Sequence, residues 1–177
     1  MEIKLSPKLS SILQYAREEA MRTGSYAIGA DHLLLGILRD GDNDAVRTLE
    51  QMGVMCGELK AHIDSLIMRS RSVPWGDYDR MGVSREAGAA INMATLEALK
   101  AGVDEVSASH LLMAIVRAES GAGRDLLARR GVTAGALSSQ MEKSGVLGSG
   151  ARRVTPSPAD ISHIIRIPPD NNPKTFS

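Results

Sequence analysis

The sequence predicts an all-α domain of two tandem four-helix repeats, about eight helices with pseudo-twofold symmetry, followed by a flexible C-terminal tail. Two observations predict this fold. The first half of the 177-residue chain recurs in the second half at a constant offset of 78 positions, and both halves carry apolar residues at helical spacing between helix start and stop signals. A duplication in register indicates two copies of one unit that bury their apolar faces on each other. The equivalent positions include Ser6 and Ser84, Gly24 and Gly102, His32 and His110, Arg39 and Arg117, and Gly53 and Gly131.

Each repeat is predicted to begin with a long helix. Ser6 supplies an N-cap oxygen, and Pro7 has the backbone angle that suits the first helical position. Ser84 opens the matching helix, and Gly24 and Gly102 are predicted to end the two helices. The inward-facing stripes are Leu9, Ile12, Leu13, Ala16 and Ala20 in the first repeat and Ala87, Ala90, Ile91, Ala94 and Ala98 in the second.

The second helix of each repeat is short and strongly apolar, over residues 33–38 and 111–116, and is therefore predicted to lie in the core. Asp31 is expected to cap the first of these helices, and either Ser107 or Ser109 the other.

A third, shorter helix is expected to end at Gly53 in the first repeat and at Gly131 in the second. A fourth helix follows in the first repeat. Its counterpart, around residues 137–141, is predicted to be weaker and shorter. The apolar positions that mark the fourth helix of the first repeat are Leu59, Ile63, Leu66 and Ile67.

The helix pattern divides the chain into a repeat domain and a tail. The region between the repeats is rich in Ser, Pro, Gly and Asp and is interpreted as a linker, although its tryptophan, Trp75, is expected to pack somewhere. The expected boundaries are 1–143 for the domain, with repeat one at 3–69, the linker at 70–81 and repeat two at 82–143, and 144–177 for the tail.

The Gly/Pro-rich tail has too little apolar density to order itself, so it is expected to be disordered or to serve as a linker. One segment, Ile161–Ile167, alternates loosely and could add a strand to a neighbour. A short apolar segment in a mobile tail is the simpler interpretation.

Composition excludes several classes of function. Lys plus Arg and Asp plus Glu both number 21, so no net charge draws the chain to nucleic acid or anionic lipid. Cys56 is the single cysteine, which excludes an internal disulfide and fits a reducing, cytoplasmic location. No signal-type segment and no run of about 18 apolar residues occurs, so neither secretion by that route nor a membrane span is expected.

The GADHLLLG run at Gly29–Gly36, together with the Ser-Pro helix start, resembles the amino-terminal domain of the Clp/Hsp100 unfoldases, specifically the ClpC type. The resemblance covers roughly residues 3–143, which makes the domain a double Clp repeat. It implies a docking module that receives protein substrates and adaptor proteins. It also implies that these are passed to a Clp AAA+ ring and its peptidase, directly or in cis.

The sequence carries neither a GxxxxGK[ST] phosphate loop nor a GxSxG or HExxH centre. The chain is therefore not expected to be an enzyme, and neither a cofactor nor a metal is predicted. Two alternatives stay open. The chain could be the regulatory N-terminal fragment of a full ClpC-like ATPase unfoldase, or a stand-alone accessory protein that modulates Clp assembly.

The resemblance also implies phosphoarginine recognition, with one site per repeat at the starts of the first and second helices. Ser6 and Asp31 stand at the phosphate-side and guanidinium-side positions in repeat one. A helix N-terminus attracts phosphate, and a carboxylate binds guanidinium. In repeat two, Ser84 provides the hydroxyl at the phosphate-side position, but Ser109 has no carboxylate charge at the guanidinium-side position. Phosphoarginine binding is therefore not expected in repeat two. Helix capping alone is the alternative interpretation of all four residues, and Asp31→Ala is expected to leave the fold largely intact.

His32 and His110 occupy equivalent positions beside core leucines, without ligand-spaced partners. Structural packing is therefore favoured over metal binding or catalysis. Cys56 has no neighbouring histidine or second cysteine and is interpreted as an idle thiol.

Overall fold

The computed structural model describes residues 3–69 and 71–145, and within them each repeat forms four α-helices, which confirms the predicted fold class. The tail segment Ile161–Ile167 lies outside the described residues. Repeat one contains α1 (Pro7–Arg22), α2 (Ala30–Asp40), α3 (Asp44–Gln51) and α4 (Cys56–Ile67), and repeat two contains α5 (Arg85–Lys100), α6 (Ala108–Arg117), α7 (Ala122–Arg129) and α8 (Ala134–Ser144).

The long helices begin and end where the capping residues predict. The hydroxyls of Ser6 and Ser84 each accept a hydrogen bond from the backbone amide three residues on, at 3.0 and 3.1 Å. Gly24 and Gly102 follow the C-caps with φ of +87° and +73°, a conformation that favours glycine. The N-caps and C-terminal glycines predicted for α1 and α5 are thus confirmed.

The two short apolar helices form the centre of the core. Residues 33–38 of α2 and 111–116 of α6 are all buried, because both faces of each helix pack against other helices. Within each repeat the first and second helices form a hairpin. In repeat one the hairpin is antiparallel: Lys8 pairs with Asp40 at one end, and Thr23 contacts His32 at the other.

Within residues 3–69 and 71–145, four two-residue strands join the repeats, and the sequence pattern did not predict them. Their bounds are β1 (Lys4–Leu5), β2 (Ala27–Ile28), β3 (Gly82–Val83) and β4 (Glu105–Val106). β1 pairs with β4 and β2 pairs with β3, both in parallel. The repeat relation maps β1 onto β3 and β2 onto β4, so it exchanges the two pairs. This exchange of strand pairs is what a pseudo-twofold axis relating the two repeats predicts.

Two details differ from expectation. The segment between the repeats contains a 3₁₀ helix, Trp75–Arg80. Trp75 is 69% exposed, and its ring stacks on that of Tyr78, at 5.8 Å between ring centroids. The last helix of repeat two spans 11 residues against 12 in repeat one, so it is not markedly shorter. Its two large apolar residues, Leu137 and Met141, are fully buried, and this burial compensates for the weak pattern. Within the described residues, no helix has the length and apolar character needed to cross a bilayer.

Candidate functional site

The strand pairs bring the first helix of each repeat to the second helix of the other. The amide of Ser6 donates to the carbonyl of Val106 at 2.9 Å, just before α6. The amide of Ser84 donates to the carbonyl of Ile28 at 2.9 Å, just before α2. The four predicted site residues therefore lie at two seams between the repeats, with one first-helix start and one second-helix start at each seam.

The structure does not bring Ser6 and Asp31 together. α1 and α2 are antiparallel, so Ser6 lies near the end of α2, while Asp31 lies near the end of α1. The 16 residues of α1 separate the two positions by about 24 Å. Asp31 shares its seam with Ser84, and Ser6 shares the other seam with Ser109.

Asp31 caps a helix, but not its own, which corrects the predicted capping role. α2 has Gly29 as its N-cap, and Asp31 is the second residue of that helix. Its Oδ1 accepts a hydrogen bond of 2.8 Å from the amide of Gly123 in α7, whose own N-cap, Gly121, provides no side chain. Asp31 therefore supplies the missing cap from the opposite repeat and stabilises the seam.

Ser109 is likewise not an N-cap, because α6 begins after Ser107. The amide of Ser109 donates to Asp44 Oδ1 at 3.2 Å, so a carboxylate from α3 is present at this seam as well. The Ser109 side chain is fully buried, and its Oγ has no hydrogen-bond partner among the described residues. The hydroxyl is therefore closed off from ligands in this conformation.

The two histidines complete helix caps. His32 Nδ1 accepts from the amide of Gly29 at 2.8 Å, and His110 Nδ1 accepts from the amide of Ser107 at 2.9 Å. Because Nδ1 is the acceptor, the proton of each neutral ring sits on Nε2. In repeat one Nε2 meets Thr23 Oγ1 at 3.0 Å, whereas His110 Nε2 is buried without a partner in the described chain. Burial lowers the pKa of both rings, that of His110 to about 4.

Glu19, although only 2% exposed, belongs to an ion-pair network rather than to an active centre. Its carboxylate contacts Arg22 at 3.0 Å, Arg39 at 3.5 Å and Lys60 at 3.7 Å. Three cations around a buried carboxylate satisfy its charge and leave it no free role as a base.

An apolar groove of about 290 Å³, called the seam groove below, lies between the first helices of the two repeats, α1 and α5. Two pairs of repeat-equivalent residues line it, Leu5 with Val83 and Leu13 with Ile91. Val83 is 56% exposed. At the rim, the guanidinium of Arg17 lies 4.9 Å from the centre of the Tyr78 ring. The remaining lining residues are Ser10, Gln14, Ile28 and Leu33.

The resemblance to the Clp/Hsp100 domain implied an adaptor surface at the seam between the repeats, near the starts of both first helices, but it did not identify the residues that line the groove. A signal was present, because the residues just before both first helices, at positions 5 and 83, are apolar and repeat-equivalent. Without the strand pairing, nothing indicated that they face the same space.

The trans-repeat cap of Asp31 makes a testable prediction. Asp31→Ala should destabilise the domain by about 1 to 2 kcal/mol, because the Gly123 amide loses its acceptor. Asp31→Asn keeps an oxygen at this position and should lose markedly less. Urea unfolding of both variants measures the difference. Equal stability of Asp31→Ala and the wild type would contradict the cap and support the earlier expectation of an unaffected fold.

Comparison with known proteins gives a consistent set of matches. Residues 4–130 match the family model described as the Clp repeat (R) N-terminal domain. The chain is 28% identical over 130 residues to the negative regulator of genetic competence ClpC/MecB of Bacillus subtilis, and 25% identical over 130 residues to the chaperone protein ClpB of Oceanobacillus iheyensis. Each alignment covers 73% of this chain but only 16% of the relative's length.

Solved structures share the fold at low identity. The N-terminal domain of ClpD from Arabidopsis thaliana superposes with a TM-score of 0.63 at 14% identity, covering 79% of this chain and 93% of the other. The Hsp104 N-terminal domain from Candida albicans superposes with a TM-score of 0.65 at 16% identity, covering 89% and 99%.

Proposed function

Because the chain belongs to the Clp repeat N-terminal domain family, we propose that it docks protein substrates and adaptor proteins for a Clp-type ATP-dependent chaperone or protease. The observation that carries this proposal is the seam groove, which is apolar and open. Unfolded substrates expose apolar side chains that a folded protein buries, so such a groove suits them. The relatives are about six times longer than the matched region, so the ATPase ring belongs either to the same polypeptide or to a separate partner.

Docking at the groove is tested by a matched pair of substitutions. Val83 and Leu66 are 56% and 57% exposed, but only Val83 lines the groove. Val83→Asp places a charge against the apolar walls and should weaken binding of a permanently unfolded model polypeptide by roughly 10-fold or more. Leu66→Asp should leave the affinity within about 2-fold of the wild type. Equal losses in both variants, or none in either, would contradict docking at the groove.

We further propose that phosphoarginine on marked substrates binds at the seam that contains Ser84 and Asp31. This assignment keeps the hydroxyl and the carboxylate expected from the resemblance but takes them from different repeats. Both residues are partly exposed, whereas Ser6 and Ser109 at the other seam are buried. Backbone amides at the start of α5 would face the phosphate, and the Asp31 carboxylate would face the guanidinium.

Calorimetric titration of the full chain with free phosphoarginine tests this assignment, with arginine and phosphoserine as controls. We expect selective binding of one equivalent. Asp31→Asn keeps the cap oxygen but removes the charge, so the affinity should fall by about 10- to 100-fold while the fold is retained. Binding that is unchanged in Asp31→Asn would contradict the assignment. Two equivalents would show that the seam with Ser6 and Ser109 also binds.

A further inference from the structure

The seam groove leaves apolar surface open on the described domain. Val83 is more than half exposed, and Leu5, Leu13 and Ile91 are each partly exposed around the same space. The exposed apolar surface of these four residues is concentrated in one groove between the repeats, an arrangement typical of an interaction site.

The groove is also bordered by a strand edge that can accept another strand. The amide of Gly82 donates to the carbonyl of Tyr26, just before β2, and the amide of Ser84 donates to the carbonyl of Ile28 on β2, both at 2.9 Å. Because successive backbone groups of a strand point in opposite directions, the amide of Val83 points away from β2. The open edge and the apolar groove therefore meet at Val83.

The chain itself contains a segment with matching chemistry. Residues 161–167 read ISHIIRI, and four of the seven are isoleucine. In an extended conformation, Ile161, Ile165 and Ile167 share one face with His163, because side chains alternate with a period of two. Strand addition of this kind uses backbone hydrogen bonds for affinity and alternate side chains for specificity.

The segment is close enough along the chain to reach any part of the domain. Fifteen residues, 146–160, separate the last described residue, Gly145, from Ile161. Extended, they span roughly 50 Å, which exceeds the diameter of a domain of this size, given a radius of gyration of about 14 to 15 Å. A tether of this length gives an effective concentration of about 1 mM. Even a weak intrinsic affinity is then enough for substantial occupancy.

From the exposed seam groove, the open edge of β3 and the tether length, we propose that the segment Ile161–Ile167 of the same chain occupies the groove as a strand added beside Val83. The occupancy itself does not depend on the proposed docking function. If the groove docks substrates as proposed above, the segment is a built-in competitor that an incoming polypeptide displaces.

Amide resonances of the full-length chain test this proposal. Relative to the wild type, the double substitution Ile165→Asp with Ile167→Asp should shift the resonances of Leu13, Val83 and Ile91. It should leave unchanged those of Met55, the N-cap of α4, and Leu66 on α4, two exposed apolar residues that do not line the groove. Ser162→Asp adds a charge to the same segment off the isoleucine face and serves as the matched control, for which we expect little change at the groove.

A synthetic peptide with the sequence of residues 159–169 provides the second arm. Added to the double variant, it should return the three groove resonances toward their wild-type positions. Identical groove resonances in the wild type and the double variant would overturn the proposal. Groove shifts that depend on protein concentration would also overturn it, because they would assign the occupant to a second copy of the chain.

Discussion

Replacement of Gly36 by alanine should destabilise the domain by about 2 kcal/mol. A Cβ atom at this position would lie 2.6 Å from the carbonyl oxygen of Ile12 and 3.0 Å from the amide nitrogen of Ala16. Both neighbours are backbone atoms of α1, so they cannot swing aside as a side chain would. Overpacking against rigid neighbours costs about 1 to 3 kcal/mol, and the better helix propensity of alanine offsets only part of this.

The second repeat explains why the effect belongs to this hairpin alone. The position equivalent to Gly36 is Ala114, which is buried and accommodated between α5 and α6. In repeat one the two helices approach more closely, because Gly36 has no side chain.

A matched glycine provides the control for urea unfolding. Gly88 lies within α5, and a Cβ there would meet nothing within 4 Å. Gly88→Ala should therefore stabilise the domain by about 0.5 to 1 kcal/mol. If Gly36→Ala were as stable as the wild type, the close contact between α1 and α2 would be wrong.

Acidification should destabilise the domain through His110. The pKa of this ring is about 4 in the folded chain, because burial penalises the charged form, against about 6.5 when unfolded. Between these two pH values, the His110 ring binds a proton in the unfolded state but stays neutral in the folded state. Stability is therefore full above pH 6.5 and falls as the pH drops, by about 3 kcal/mol in total near pH 4. Asp44 opposes this shift, and His32, whose pKa is lowered by burial as well, adds to the loss.

His110→Gln isolates the contribution of His110. Glutamine at this position can still accept the Ser107 amide bond, because Ser-x-x-Gln is a capping box, but it does not titrate. Urea unfolding at pH 7, 6, 5 and 4.5 should show a shallower loss of stability in the variant than in the wild type. Parallel pH profiles would mean that His110 titrates normally and is not held neutral by burial.

The two repeats share the same order of helices but differ in the hydrogen bonds of their polar side chains. Thr23 gives the His32 ring a partner, whereas Ala101 at the equivalent position gives none to His110. Asp31 on α2 caps α7, whereas at the second seam the carboxylate comes from Asp44 on α3. The seams are thus equivalent in backbone, but their carboxylates come from different helices and their serines differ in exposure, because Ser84 is partly exposed whereas Ser6 and Ser109 are buried. This difference in exposure is why we favour one seam for phosphoarginine.

The helices were predictable because their signals are local. Serine caps, C-terminal glycines and apolar stripes each act within a few residues, and the in-register duplication doubled every signal. The strands were not predictable, since two residues are too few to show a period of two. The exchange of partners between repeats followed from those strands. The sequence analysis therefore grouped Ser6 with Asp31 within one repeat, whereas the structure places Asp31 at the seam of Ser84.

The role of Asp31 shows a second reason why part of the candidate site could not be predicted from the sequence. A carboxylate near a helix start indicates capping, but the sequence does not state which helix is capped. Because Gly29 begins α2 and His32 completes its cap, the Asp31 side chain is left to cross the seam to α7. Long-range partners of this kind depend on the packing of the repeats, which local pattern does not specify.

Docking at the seam groove is the central claim, and mapping of a bound polypeptide tests it most directly. Amide resonances of the full chain would be recorded during titration with a permanently unfolded model protein. The largest shifts should fall at Leu5, Leu13, Val83 and Ile91, where the two repeats meet. Shifts confined to the exposed apolar residues of α4, such as Leu66, or an absence of shifts at saturating polypeptide, would contradict it.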